Sequence, residues 1–441
     1  MMISQRLRLC AHAAAAASVF IVCQPFAGAQ GVATTAAATQ PWADLRFDFG
    51  PGKAKPGHTA VSADTAYSSE RGYGFDNGVV PTGVESGGDD PATDGLVASE
   101  RPFFFSVKVP EGNYKVTITF GDPKGESHTT LRAETGRVMA ADISTAAGEI
   151  VTRSFIVNIQ KKTLPAPPAN APGWPEVHMF LPSEPTSRRW DEKMTLAFNG
   201  ARPCVSAIEI TRADDVPTVF LAGDSTVGDP HQGHGGNWST QIPQYFKPDV
   251  AISNNAEGGE TTKSFLTGAR LDKILSQMKP GDFLLIQFAH NDSKKQWPQS
   301  YTEPATTFKA YLKVYLEETR RRGGTLVLVT PMERRSNEDS VGPWARAMRE
   351  FAEVEKVPII DQWTVSKQMW TALGPKVGSA FSDQTHLSAY GGYLLSKVVA
   401  EGIKKNVPEL AKYMFDDFQP LDMNNLDQRP GYLSQPTGVP R

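Results

Sequence analysis

Five short apolar runs in the second half of the chain constrain its fold more than any other feature. They are Val219-Phe220-Leu221-Ala222, Val250-Ala251-Ile252, Phe283 to Phe288, Leu326 to Val329 and Pro358-Ile359-Ile360. Each is too short for a helix and lacks a polar face, so as a strand it must be covered on both sides. Helical segments lie between and after the runs, among them Phe308 to Arg321, Trp344 to Glu355 and about Ala389 to Asn406. Such alternation predicts an α/β/α three-layer domain around a parallel sheet. It is expected over residues 213–418, with 419–441 as a C-terminal tail.

Upstream the texture changes. Leu45 to Phe49, Phe103 to Val109, Tyr114 to Phe120, Phe155 to Ile159, Met194 to Phe198 and Val205 to Ile210 read as short strands, with Pro, Gly, Asn and Asp between them. Alternation means one face of each strand is buried and the other is not. A series of this kind predicts an antiparallel β-sandwich over residues 43–212. The proline-rich stretch from Leu164 to Arg189 reads as a long ordered loop. Ala213 to Pro217 is a short polar junction, which argues against freely tumbling domains. The chain of 441 residues is therefore read as multidomain.

The first 29 residues stand apart. Arg6 and Arg8 precede an alanine-rich apolar run, and Ala27-Gly28-Ala29 offers a small-residue cleavage site. This predicts a secretory signal peptide cut near Ala29, a linker over 30–42, and a secreted or periplasmic protein. The apolar core is shorter than the roughly 20 residues a spanning helix needs. No membrane association is expected. Cleavage would remove Cys10 and Cys23 and leave Cys204 alone, which excludes an internal disulfide in the mature monomer. The formal charge of -3 does not suit a nucleic-acid binder.

Four polar blocks fall at or beyond the carboxyl ends of the apolar runs, where open α/β sheets gather their ligands. Gly223-Asp224-Ser225-Thr226 would expose the Ser225 hydroxyl on a turn entering a helix, although Ser and Asp also suit a simple helix cap. Asn254 to Gly259 contains a double glycine that can turn backbone N–H groups inward, or form a plain turn. His290-Asn291-Asp292 supplies an Asn that can donate toward a developing oxyanion, or merely caps a strand end. Asp383-Gln384-Thr385-His386 spaces a carboxylate and an imidazole so that both can reach one site, or pair only with each other. Together they suit a nucleophile, a base and an orienting carboxylate.

These blocks, in this order, resemble those of the SGNH or GDSL hydrolase superfamily. The chain is more particularly similar to the rhamnogalacturonan acetylesterases of carbohydrate esterase family 12. The likeness rests on Phe220 to Thr226, the Asn-x-Ala-x-x-Gly run ending at Gly259, Phe288 to Asp292, and Asp383 to Ser388. It also extends to an N-terminal sandwich of galactose-binding-like kind. The resemblance implies Ser225, His386 and Asp383 as catalytic triad. It implies Ser225, Gly259 and Asn291 as oxyanion hole. No cofactor is expected, and no metal either: His231 and His234 could suggest one, but they lie on a Gly-rich loop without a clear third ligand. Two positions depart from the family pattern. Ala289 stands where Gly is usual, which matters if the backbone there has positive φ. Glu260 stands where a fungal-type member has Arg, placing a charge beside the oxyanion glycine where it would bear on sugar selection.

The implied partner is an acetylated plant cell-wall polysaccharide or oligosaccharide, with pectic rhamnogalacturonan first. Other readings are an acetylxylan esterase or related deacetylase, and a non-catalytic glycan-binding protein. Candidate substrate contacts are Glu260, His231, His234, Trp238 and Trp297, with Trp344 as a further sugar platform. The sandwich is read either as a carbohydrate-binding module or as a fixed wall of the cleft.

Overall fold

The computed structural model describes residues 42–76, 79–85, 95–167, 169–170, 172–178, 190–229 and 236–435. The expected signal peptide, nearly all of the linker, His231, His234, residues 179–189 of the proline-rich loop and residues 436–441 lie outside these. The strands up to Arg212 are β1 (Leu45–Phe49), β2 (Thr59–Val61), β3 (Tyr73–Phe75), β4 (Thr82–Glu85), β5 (Gly95–Ala98), β6 (Phe103–Lys108), β7 (Gly112–Phe120), β8 (Ser127–Ala133), β9 (Arg137–Thr145), β10 (Val151–Ile159), β11 (Lys193–Arg202), β12 (Cys204–Val205) and β13 (Ala207–Arg212). They form two five-stranded sheets, ordered β10-β7-β13-β1-β2 and β3-β6-β11-β8-β9, and a small sheet β12-β5-β4. Pairing is antiparallel except that β1 and β2 run parallel.

Alternation along these strands supplies the core. Phe47 and Phe49 from β1 meet Phe105 edge-on, and Phe103 stacks on Phe198 with centroids 4.8 Å apart. Several strands carry no such signal. β8 and β9 bury Thr129, Thr130, Arg132 and Arg137 beside their apolar residues, which erases the two-residue period. Cys204 is free and buried, and its Sγ accepts from Gly121 N at 3.3 Å.

The second half contains all five anticipated strands: β14 (Thr218–Gly223), β15 (Ala251–Asn254), β16 (Phe283–Gln287), β17 (Thr325–Val329) and β18 (Ile359–Ile360). The sheet is parallel throughout, ordered β15-β14-β16-β17-β18. The helices are α1 (Trp238–Gln241), α2 (Thr262–Thr267), α3 (Arg270–Gln277), α4 (Lys309–Arg321), α5 (Gly342–Glu355), α6 (Gln362–Leu373), α7 (Ala389–Asn406) and α8 (Pro408–Ala411). The apolar strands feed both helical layers in alternation. Val219, Leu221 and Leu285 pack with Trp370, Leu394 and Val398 on one face. Phe220, Leu284 and Ile286 pack with Ile274, Leu312 and Met348 on the other. This is the expected three-layer arrangement. The strand order reverses between β14 and β16, so their carboxyl ends border the crevice where such sheets bind ligands.

The two halves join through a dense polar seam. Asn113 Nδ2 donates to Thr218 Oγ1 at 2.9 Å, and Gln160 Nε2 to Ser253 Oγ at 2.6 Å. Ile156, Ala213 and Ala251 form an apolar contact beside them. The stretch read as a C-terminal tail also crosses the seam. The Tyr432 hydroxyl donates to Gln241 Oε1 at 2.9 Å, while the Arg132 guanidinium lies 5.9 Å from the Tyr432 ring centroid. Among the described residues, no helix is long and apolar enough to cross a membrane.

Candidate active site

Strand β14 ends on Gly223 because a side chain there does not fit. A Cβ would come within 2.6 Å of Gln287 O and of the Val227 side chain. The chain then makes one hydrogen-bonded turn, with Val227 N and Gly228 N both donating to Asp224 O at 3.0 and 2.8 Å. Ser225 sits in this turn. No helix follows directly, contrary to the expectation; α1 begins only at Trp238. The turn is held instead by side chains. Asp224 is fully buried, and its Oδ1 accepts from Thr226 N at 2.9 Å and Thr226 Oγ1 at 2.7 Å. Gln287 Nε2 donates to the same Thr226 hydroxyl at 2.7 Å, and Asn237 Nδ2 to Ser225 O at 2.9 Å. A buried network satisfied in this way is rigid.

The Asp383 loop reaches this turn from the far end of the chain. It is closed by the Phe381–Leu387 bridge and by Ser382 N donating to His386 O at 2.8 Å. Asp383 Oδ1 accepts from Thr385 N and His386 N, each at 2.6 Å, and its Oδ2 lies 2.6 Å from His386 Nδ1. A carboxylate only accepts, so Nδ1 carries the ring hydrogen and Nε2 is left as the basic nitrogen. Nε2 lies 3.0 Å from Ser225 Oγ. Burial alone would raise the Asp383 carboxyl, but the hydrogen bonds from His386 and Thr385 outweigh it and hold it at about 2. Ser225, His386 and Asp383 thus form one hydrogen-bonded chain, with the imidazole partly open to solvent.

The remaining two blocks pack around the Ser225 turn. Gly259 has φ of +87°, a conformation that favours glycine. Glu257 N donates to Gly223 O at 3.2 Å, which ties its turn to the end of β14. His290 N donates to Asp224 Oδ2 at 3.2 Å and ties the Asn291 turn to the same place. For Asp224, burial acts to raise the carboxyl, yet contact with His290 keeps it below its ordinary value. Asn291 Nδ2 donates to Glu260 O at 2.9 Å, and its Oδ1 accepts from Lys294 Nζ at 2.7 Å. Asp292 is buried and accepts from Thr262 N at 3.1 Å and from the Thr302 hydroxyl at 3.1 Å. Burial, partly offset by the bonds from Thr262, pushes its carboxyl up to about 7. Ala289 has φ of +140°, so a residue with a side chain stands where the backbone does favour a glycine.

The candidate substrate contacts divide. Trp297 is 53% exposed on the loop after Asn291. Trp238 is 1% exposed and its Nε1 donates to Gln287 Oε1 at 2.8 Å; it is a core residue, because α1 packs against α7. Trp344 is likewise buried, with Nε1 directed at Thr302 O. Glu260 is 2% exposed and faces Arg270 and Ser264 rather than the cleft. Among the described residues no His, Cys, Asp and Glu cluster could hold a metal. Sequence reading missed Arg334. It donates to His290 O at 2.9 Å and lies 3.3 Å from Thr385 Oγ1, bridging the Asn291 and Asp383 loops. Both partners lie far from it in sequence, so no local spacing marks it.

Residues 221–392 match the GDSL-like Lipase/Acylhydrolase family, and residues 45–160 match the family of Beta-agarase/YXIM esterase-like, galactose-binding domain-like sequences. The rhamnogalacturonan acetylesterase RhgT of Bacillus subtilis is 34% identical over 211 residues, covering 42% of this chain and 89% of that protein. The uncharacterized esterase YxiM of the same organism is 24% identical over 382 residues, covering 82% of this chain and 90% of that one. A crystal structure of the YXIM protein from Bacillus subtilis aligns with a TM-score of 0.43 at 22% identity, covering 82% of this chain and 98% of that chain. The chain belongs to the GDSL-like lipase/acylhydrolase family and is a carboxylic ester hydrolase that carries an N-terminal galactose-binding-like domain.

Proposed function

We propose that this enzyme removes O-acetyl groups from a pectic rhamnogalacturonan, with Ser225 as nucleophile, His386 as general base and Asp383 as its orienting carboxylate. The observation that supports this best is the Ser225–His386–Asp383 hydrogen-bond chain at the switch point of a parallel sheet. Ser225 Oγ attacks the acetyl carbon as its proton passes to His386 Nε2. The carbonyl oxygen becomes an anion held by the N–H groups of Ser225 and Gly259 and by the Asn291 amide. Loss of one such donor costs about 3 kcal/mol. The C–O bond to the sugar then breaks, and His386 returns the proton to the departing hydroxyl. Water repeats the cycle on the acyl-enzyme and frees acetate.

The pectic substrate is supported by RhgT, whose name records that activity, and by 34% identity to it. Trp297 offers an exposed ring beside the Asn291 turn, suited to a sugar face. We further propose export through the leader at residues 1–29. The deciding experiment measures acetate release from acetylated rhamnogalacturonan, acetylated xylan and a chromogenic acetate ester, with Ser225→Ala as blank. Preference for the pectic polymer is expected. Preference for xylan would make the enzyme a xylan deacetylase, and turnover unchanged in Ser225→Ala would reject the nucleophile. Background turnover on every ester would leave only a glycan-binding role.

A further inference from the structure

Arg270 opens α3 with its side chain fully buried. The chain enters that helix through Ala269 at φ of +57°, a strained conformation kept only where the surroundings enforce it. From there the guanidinium grips the Gly259 turn along its whole length. Nη1 donates to Asn255 O at 3.0 Å, Nη2 meets the Glu257 carboxylate, and Nε lies 3.2 Å from Glu260 Oε1. Glu257 and Glu260 bracket Gly259. The Glu260 carbonyl in turn seats the Asn291 amide. With Asn291 Oδ1 taken by Lys294 and one Nδ2 hydrogen directed at Glu260 O, the amide cannot flip.

We infer that Arg270 is the positioning residue of the oxyanion hole: its grip on Glu257 and Glu260 fixes the Gly259 N–H and, through the Glu260 carbonyl, the Asn291 amide. The inference rests on the oxyanion roles proposed above. A planar fork is required, because a point-like ammonium cannot span two carboxylates and a carbonyl at once. One buried cation faces two buried carboxylates, and burial pushes the Glu260 carboxyl up to about 7. The Glu at 260 thus serves the architecture of the turn, where its sequence position suggested sugar selection.

The test uses the full chain and a chromogenic acetate ester, with kcat and KM for Arg270→Lys, Asn291→Ala and the double variant, and calorimetry for each. Arg270→Lys should lose about tenfold or more in kcat with KM little changed. In the Asn291→Ala background the same substitution should cost less, because the share exerted through the Asn291 amide is already lost and only the share through the Gly259 N–H remains. Wild-type kcat in a folded Arg270→Lys, or losses that multiply in the double variant, would overturn the inference alone. Full kcat in Asn291→Ala would overturn the site reading and the inference with it. Should Arg270→Lys fail to fold, Glu260→Gln probes the same grip from the other side. A kcat loss at unchanged KM supports the inference, and wild-type kcat rejects it.

Discussion

Arg137, on β9 of the sandwich, places Nη2 3.1 Å from Oδ2 of Asp229, just beyond Ser225 on the loop that leaves β14. Both side chains are almost wholly buried. Thr135 Oγ1 donates to the same carboxylate at 2.6 Å, and Asn254 Nδ2 to its other oxygen at 2.7 Å. The first domain therefore touches the loop of the proposed nucleophile and the strand that leads to Gly259. Removing one partner of a buried pair costs about 3–5 kcal/mol, because the other is left uncompensated. Arg137→Met should lower stability by that order and reduce kcat. The double variant Arg137→Met with Asp229→Leu should regain only part of the stability, because the Thr135 hydroxyl and the Asn254 amide then lose this acceptor. Urea unfolding of the full chain checks both.

Asp383→Asn should lower kcat by about 10³–10⁴-fold with little effect on folding. The amide oxygen can still accept from Thr385 N and His386 N. Its NH2 group would then face His386 Nδ1, forcing that nitrogen to accept and moving the hydrogen to Nε2. An imidazole protonated there cannot take the Ser225 proton. Burst kinetics with a chromogenic ester would show the lost acylation.

Ala289→Gly should stabilise the protein. The strain of a side chain at φ of +140° is on the order of 1–3 kcal/mol. The added chain entropy of glycine returns roughly 0.5–1 kcal/mol of that gain. A net increase of about 1 kcal/mol in urea unfolding is expected.

Stability should fall as pH rises from about 4 to about 7. The Asp292 carboxyl is raised in the fold, chiefly by burial, from its ordinary 3.8 to about 7. A carboxyl raised on folding stabilises while it stays protonated. That contribution is complete below the unfolded value and is lost as pH passes the folded one. Its size is on the order of 2–4 kcal/mol. Asp292→Asn should weaken the dependence of the melting temperature between pH 5 and pH 8, leaving the share of the Glu260 carboxyl, which burial also raises to about 7. A slope equal to the parent's would count against the Asp292 carboxyl as its source.

What the sequence made legible was local. Continuous apolar runs identify β14 to β18 because a strand covered on both faces has no polar period to hide. Asp383 and His386 are readable as a pair because they stand three positions apart in the chain. Arg137, Arg270 and Arg334 are not, since each meets partners distant in sequence. Trp238 and Glu260 were read as sugar contacts from their neighbourhood, but burial depends on how α1 and α3 pack. β8 and β9 escaped notice because they bury arginines that meet partners across the seam and threonines that bond within the sandwich.

Those buried arginines also bear on how the chain is made. The sandwich leaves the ribosome first, yet Arg137 meets Asp229, and Arg132 meets Tyr432, only after much more chain has followed. Until then two guanidinium groups and the apolar patch at Ile156 face water. The nascent first domain would therefore expose this face until the rest of the chain has been made. Folding in the cell should be a late, concerted closure, and a ribosome stalled before Asp229 should display a protease-sensitive sandwich.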